Sequence, residues 1–275
     1  MARNWYDSVV PEDAAAPPRE IDVTVAHPAR VYDYWLGGKD NFAADRAAAE
    51  EVLRVKPEIR DNVRANRGFL ARAVRFLAEE AGIDQFLDIG TGIPTASNTH
   101  EVAQAARPGA RVVYVDNDPI VLAHARALLT GTSGPTAFID TDLRDSDAIL
   151  AAAAKTLDFG RPVAVMLIAV LHLVPDEDGP WSLVARLMDA VLSGSYLVLS
   201  HPARDVATDK SAQAAHRYNQ HVAAPMRRRT RDEVAGFFDG LNLVDPGIVQ
   251  MHQWRPTGQE KAAPSSGYAA MARKP

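Results

Sequence analysis

The stretch Phe86-Leu87-Asp88-Ile89-Gly90-Thr91-Gly92-Ile93-Pro94-Thr95 decides the fold. A short apolar run ends in two glycines one residue apart, and a helical pattern follows at 97–106. Glycines at the mouth of a parallel strand let the backbone approach a ligand closely. A helix N-terminus behind them supplies free N–H groups and a positive dipole end. Outward from this stretch, β-like runs recur at 85–89, 111–115, 136–139, 163–168 and 195–199. Helical patterns separate them at 119–129, 147–156 and 180–192. Runs such as VAVMLI and YLVL are apolar throughout, as strands covered by helices on both faces are. Such strands alternating with helices predict a doubly wound, Rossmann-like α/β sheet.

On the N-terminal side, residues 28–82 read as a helical cap. Ala29, Val31, Tyr32, Trp35 and Leu36 recur at helical spacing before Gly37-Gly38 breaks the run. Second and third helices are predicted over 42–55 and 58–80, with Gly82 as the C-cap of the third. Residues 1–27, rich in Ala, Pro and charge, read as a loose arm. The sheet domain takes 83–275. Beyond His201 it adds helices at 210–222 and 231–240, then closing strands at 241–249 and 268–272 with a loop over 257–267.

The composition excludes several classes. With 275 residues, 47% of them hydrophobic and 24% charged, the chain is globular. Without cysteine it has no disulfide, thiolate metal site or cysteine nucleophile; the cytosol is the expected compartment. No apolar run is long enough to span a membrane, and the N-terminus has no apolar signal segment. Eight histidines fall into no metal-binding spacing. A net charge of −5 argues against a nucleic-acid partner. Arg227-Arg228-Arg229 therefore reads as a solvated face or a set of local ion pairs.

The loop chemistry narrows the ligand. A dinucleotide turn wants a third glycine, and Pro94-Thr95 occupies that place. Asp88 before the glycines suits S-adenosyl-L-methionine instead, whose ammonium it can balance while backbone amides meet the carboxylate. Asp116, closing the second strand, is placed to accept both ribose hydroxyls. Asp142, after the third strand, can accept from the adenine amino group while the next N–H donates to a ring nitrogen. The alternative for Asp142 is a helix-terminal acid. His172, after the fourth strand, is a candidate general base, or a structural hydrogen-bonding group under a loop. His201, after the fifth strand, is the second candidate.

Asp88-Ile89-Gly90-Thr91-Gly92, Val113-Tyr114-Val115-Asp116-Asn117-Asp118-Pro119 and Val170-Leu171-His172 resemble successive motifs of class I S-adenosylmethionine-dependent methyltransferases. More narrowly, the stretch from Arg30 to Phe42 (RVYDYWLGGKDNF) and the pair Asn66-Arg67 resemble an actinobacterial family of such enzymes, formerly classed as a domain of unknown function. The resemblance spans nearly the whole chain beyond Pro28. It implies a seven-stranded sheet with helices on both faces, an N-terminal helical cap, S-adenosyl-L-methionine as cofactor and an unidentified acceptor, expected to be a small molecule. The expected cofactor set is Asp88, Gly90, Thr91 and Gly92 in the first loop, Asp116 and Asn117 after the second strand, Asp142 and Leu143 after the third, and Ala169 after the fourth. Tyr32, Tyr34, Gly38, Lys39 and Asn41 form an expected lid over cofactor and acceptor, the alternative being a rigid cap. Because fold does not guarantee chemistry, a non-catalytic protein that binds cofactor or product stays open beside the enzyme.

Overall fold

The computed structural model describes residues 21–95, 97–128, 133–206, 208–258 and 265–275, with the side chains of 125–128 left aside. Residues 1–20 of the expected arm over 1–27, the last residue of the 119–129 helix and the middle of the 257–267 loop lie outside the described residues.

Five parallel strands form the body of the sheet: β1 (Gln85–Ile89), β2 (Arg111–Asp116), β3 (Thr136–Asp140), β4 (Ala164–Ile168) and β5 (Tyr196–Pro202). Every residue of β1 and β4 is buried; β4 is apolar throughout, whereas β1 also buries Gln85 and Asp88 among Phe86, Leu87 and Ile89. β8 (Gly267–Arg273) runs antiparallel to β5, and β6 (Asn242–Leu243) and β7 (Val249–Gln250) pair with β8. The order is β3-β2-β1-β4-β5-β8-β6, with β7 also on β8. Among the described residues there are thus eight strands where the resemblance implied seven. The single strand predicted over 241–249 is two short pieces, because Val244–Gly247 closes a turn (Gly247 N to Val244 O, 2.9 Å) and Pro246 has no N–H for a ladder.

Strand parity divides the core between two faces. Leu87, Ile89, Val113 and Val165 pack beneath α6 (Ser146–Ala153) and α7 (Pro180–Asp189). Phe86, Val112, Tyr114 and Met166 pack against α3 (Ile59–Glu79), whose apolar stripe is Phe69, Leu70, Ala73, Val74 and Leu77. The same parity turns Asp88 and Asp116 toward the α3 face. Because β2 and β4 flank β1 on opposite sides, the strand order reverses at β1, where open α/β sheets bind their ligands.

The third cluster of apolar residues combines parts distant in sequence. α1 (Pro28–Leu36) and α2 (Ala43–Leu53) contribute Val31, Trp35, Ala49 and Val52, and Ala214 and Tyr218 come from α8 (Asp209–Asn219). Ala26 bridges in parallel to Val222 beyond that helix. The helical layer above the sheet is therefore built from both ends of the chain. Among the described residues, no helix is long and apolar enough to cross a membrane.

Candidate functional site

An open cavity lies over the C-terminal ends of β1, β2 and β4. All nine expected cofactor residues line it, together with His172 and Tyr32. Gly90 and Gly92 are both left-handed, at φ 73° and 66°. They differ in what a side chain would meet. A Cβ on Gly90 would stand 2.3 Å from Val170 Cγ2, so this glycine lets the loop pack on the turn after β4. A Cβ on Gly92 would meet nothing within 4 Å, so the bare backbone faces open space in the cavity.

The loop that follows is longer than expected. α4 (Thr99–Ala106) begins two residues after the predicted start, and Ser97 before it is left-handed at φ 62°. The start of α4 is already engaged. His100 N donates to the Tyr114 hydroxyl at 2.8 Å, and the Glu101 carboxylate accepts from Asn98 N at 2.8 Å. The expected free N–H groups behind the glycines are not displayed in that form, and what faces the cavity is the loop backbone.

Two acids frame this loop. Asp116 Oδ2 accepts from Gly92 N at 2.8 Å and Oδ1 from Asp118 N at 3.0 Å, and burial raises its pKa. Asp88 accepts from Thr99 Oγ1 at 2.6 Å, and burial pushes its pKa up to about 6. At the cavity edge, Asn117 Nδ2 donates to Asp142 Oδ2 at 3.0 Å, and Arg144 pairs with the same carboxylate. Leu143 beside them is buried.

After β4, Ala169 takes a left-handed φ of 53°, which costs a non-glycine residue energy. The conformation is held by a chain of hydrogen bonds. Ala169 N donates to Ser200 Oγ (3.0 Å), Ser200 Oγ to Asn66 Oδ1 (2.6 Å), Asn66 Nδ2 to Tyr32 OH (2.9 Å), and Tyr32 OH to Val63 O (3.1 Å). The chain links the sheet to α3 and α1. It also gives Asn66 a position that its motif alone did not explain.

His172 sits in the turn Leu171–Leu173, buried, its Nδ1 without a hydrogen-bond partner among the described residues. Burial, helped by Arg229, lowers its pKa to about 4, so the ring is neutral at ordinary pH. His201 lies inside β5 and not after it, opposite Tyr268 in the ladder. Its Nδ1 meets Pro202 O at 3.0 Å and its Nε2 meets Arg229 Nη1 at 2.8 Å, and burial holds it neutral too. Arg229 is not on a solvated face: it is fully buried and bonds Leu171 O, Val174 O and Asp176. Arg227, by contrast, forms an ordinary surface pair with Asp176 at 2.6 Å.

Of the five expected lid residues, only Tyr32 reaches the cavity. Tyr34 OH donates to Glu50 at 2.5 Å. Asn41 Nδ2 donates to Asp33 Oδ2 at 2.8 Å, and a Cβ on Gly38 would overlap the same carboxylate. Lys39 is exposed. The buried Asp33 thus gathers the Gly38–Asn41 turn beside the cap instead of over the cavity. Sequence reasoning assigned no role to His27, whose imidazole meets Asp118 at 2.9 Å and brings the start of α1 to the end of β2. The signal present was a histidine directly before a helix-starting proline, too common a pattern to single out.

The S-adenosyl methyltransferase family model matches residues 14–275. The chain belongs to that family. Its cofactor is accordingly S-adenosyl-L-methionine. A DUF574 family protein from Streptomyces avermitilis is 47% identical, with a TM-score of 0.88 over 93% of this chain and 100% of that one. A candidate methyltransferase from Thermobifida fusca is 40% identical, with a TM-score of 0.86 over 95% and 99%. The mitomycin 7-O-methyltransferase MmcR, 16% identical, shares the fold with a TM-score of 0.52 over 90% of this chain and 69% of that one. No curated protein matches. The methyltransferase cavity fits its cofactor on two observations: the open space where a Gly92 side chain would stand, and the two buried carboxylates beside it.

Proposed function

We propose that the protein transfers a methyl group from S-adenosyl-L-methionine to a small-molecule acceptor. The observation that carries this reading is a second cavity that meets the first at Tyr32, Asn66, Ala169 and His172. A cofactor store needs one pocket; a transferase needs two that share a wall. When bound, the cofactor supplies a methyl group made electrophilic by its sulfonium.

Residues of this chain do the rest. Asp116 holds the ribose, Asp88 balances the ammonium, and Asp142 with Leu143 N–H receives the adenine. Gly90, Thr91 and Gly92 give the cofactor a backbone surface to lie on, with Asn117 and Ala169 at its edges. Residues 28–82, joined by α8, cover the site and exclude water, and the Ala169–Ser200–Asn66–Tyr32 chain holds the junction in register. His172, neutral and lining both cavities, takes a proton from an acceptor hydroxyl or amine.

Labelled S-adenosyl-L-methionine incubated with a metabolite extract tests the reading. A labelled small product is expected, and His172→Asn should reduce its rate by about 100-fold with unchanged S-adenosylhomocysteine affinity. Tight S-adenosylhomocysteine binding without labelled product would favour a binding protein.

Asp88 gives the site a pH dependence. With a folded-state pKa near 6, above the ordinary carboxylate value, the free protein keeps this proton where the unfolded chain has lost it. The stability from that proton is present below about pH 4 and is lost as pH rises through about 6. An ammonium needs the ionised carboxylate, so cofactor affinity moves the opposite way. S-adenosylhomocysteine is expected to bind about tenfold more weakly at pH 5 than at pH 7 in calorimetry. A flat profile would remove Asp88 from the ammonium.

A further inference from the structure

The second cavity holds two cations and no acid. Lys56 and Arg228 line it, and no Asp or Glu does. Lys56, buried 155 and 210 residues away in sequence from its partners, donates to Ser211 Oγ at 2.8 Å and Ser266 Oγ at 2.5 Å. An ammonium has three N–H donors, so one remains. Burial is the main cause of a lowered Lys56 pKa; the exposed Glu58 opposes it, and Arg228 adds a smaller lowering. Arg228 has a buried Nη1 with no hydrogen-bond partner among the described residues. His172 and His201, which also line the cavity, are neutral and compensate nothing. A buried ammonium with a half-buried guanidinium lining the same cavity is costly unless an anion completes them. The lining also includes the apolar Trp35, Val52, Ile59 and Ala214.

We propose that the acceptor is an apolar small molecule bearing a carboxylate, its anion held by Lys56 and Arg228 and its body laid against Trp35 and Ile59. This rests on the methyl-transfer reading above and names its substrate class. The anion grips one end of the molecule, and the junction at His172 and Ala169 receives the other. A purely structural role for Lys56, pinning Ser266 to α8, would predict no charge selectivity in the cavity.

The test is calorimetry on the full chain saturated with S-adenosylhomocysteine. The probes are benzoate, 2-naphthoate and octanoate, each beside its carboxamide. At least one carboxylate is expected to bind tenfold or more tightly than its amide, the discrimination set by charged hydrogen bonds. Lys56→Met and Arg228→Gln should each erase most of that preference and leave S-adenosylhomocysteine affinity unchanged. Arg228 lies at the partly exposed edge, so its variant gives the same readout if Lys56→Met fails to fold. Equal affinity for acid and amide, a preference that survives both substitutions, or no carboxylate binding up to the solubility limit would overturn the proposal. Absence of S-adenosylhomocysteine binding in the first titration would overturn the methyl-transfer reading instead.

Discussion

Replacing Arg229 with methionine is expected to lower the free energy of unfolding by about 3–5 kcal/mol, the loss typical of breaking a buried, hydrogen-bonded ion pair. Its guanidinium meets two backbone carbonyls, the ring of His201 and Asp176, and stands 5.1 Å from the centre of Trp181. Methionine fills part of the space but leaves Leu171 O, Val174 O and His201 Nε2 unsatisfied, and burial turns each unmet group into a penalty. The carbonyls belong to the turn that carries His172, and His172 O itself accepts from Arg227 N at 2.7 Å. The variant should therefore lose order at the cavity junction before it unfolds. Urea denaturation followed by circular dichroism measures the first effect, and hydrogen exchange over 170–176 the second. A loss below about 1 kcal/mol would mean that Arg229 is only packing, the lower end of what one hydrogen bond contributes.

Asp116→Ala is expected to cost about 2–4 kcal/mol of cofactor affinity, roughly 30- to 1000-fold. One part is the lost acceptor for the ribose hydroxyls. The other is internal: the same carboxylate holds Gly92 N and Asp118 N, so its removal releases the glycine loop from the end of β2. Asp116→Asn separates the two parts, because an amide oxygen still accepts one of those N–H groups while the charge is gone. Calorimetry with S-adenosylhomocysteine should place Asn between wild type and Ala. Wild-type affinity in Asp116→Ala would show that the ribose lies elsewhere.

The central strands were legible from sequence because burial on both faces leaves a mark that a short window can read. β4 is apolar throughout and β1 carries Phe86, Leu87 and Ile89, and the glycines after β1 stand where a tight, left-handed turn must follow. The proposed cofactor residues could be picked out for the same reason: each follows or ends a recognisable strand, and all of them line one cavity. Less was visible near the closing edge. Residues 241–249 read as one strand because Leu241, Leu243 and Val249 are apolar, while Pro246 and Gly247 divide it. The aromatic and glycine-rich segment after Pro28 looked like a lid, yet only Tyr32 of the expected set reaches the cavity. Helical spacing says which residues share a face and is silent about which neighbour that face meets.

By itself, then, the sequence determined the doubly wound sheet, the family and the crevice at the end of β1. All three rest on patterns local to a strand and the turn after it. The tertiary structure decided what surrounds the crevice. It set α8 beside α1 and α2, buried Arg229 under the His172 turn, and brought Lys56 to Ser211 and Ser266. These contacts join segments as many as 210 residues apart. They arise when the packed sheet closes its helical layer, and a lysine or an arginine has the same local signature whether its partner is water or a buried cavity.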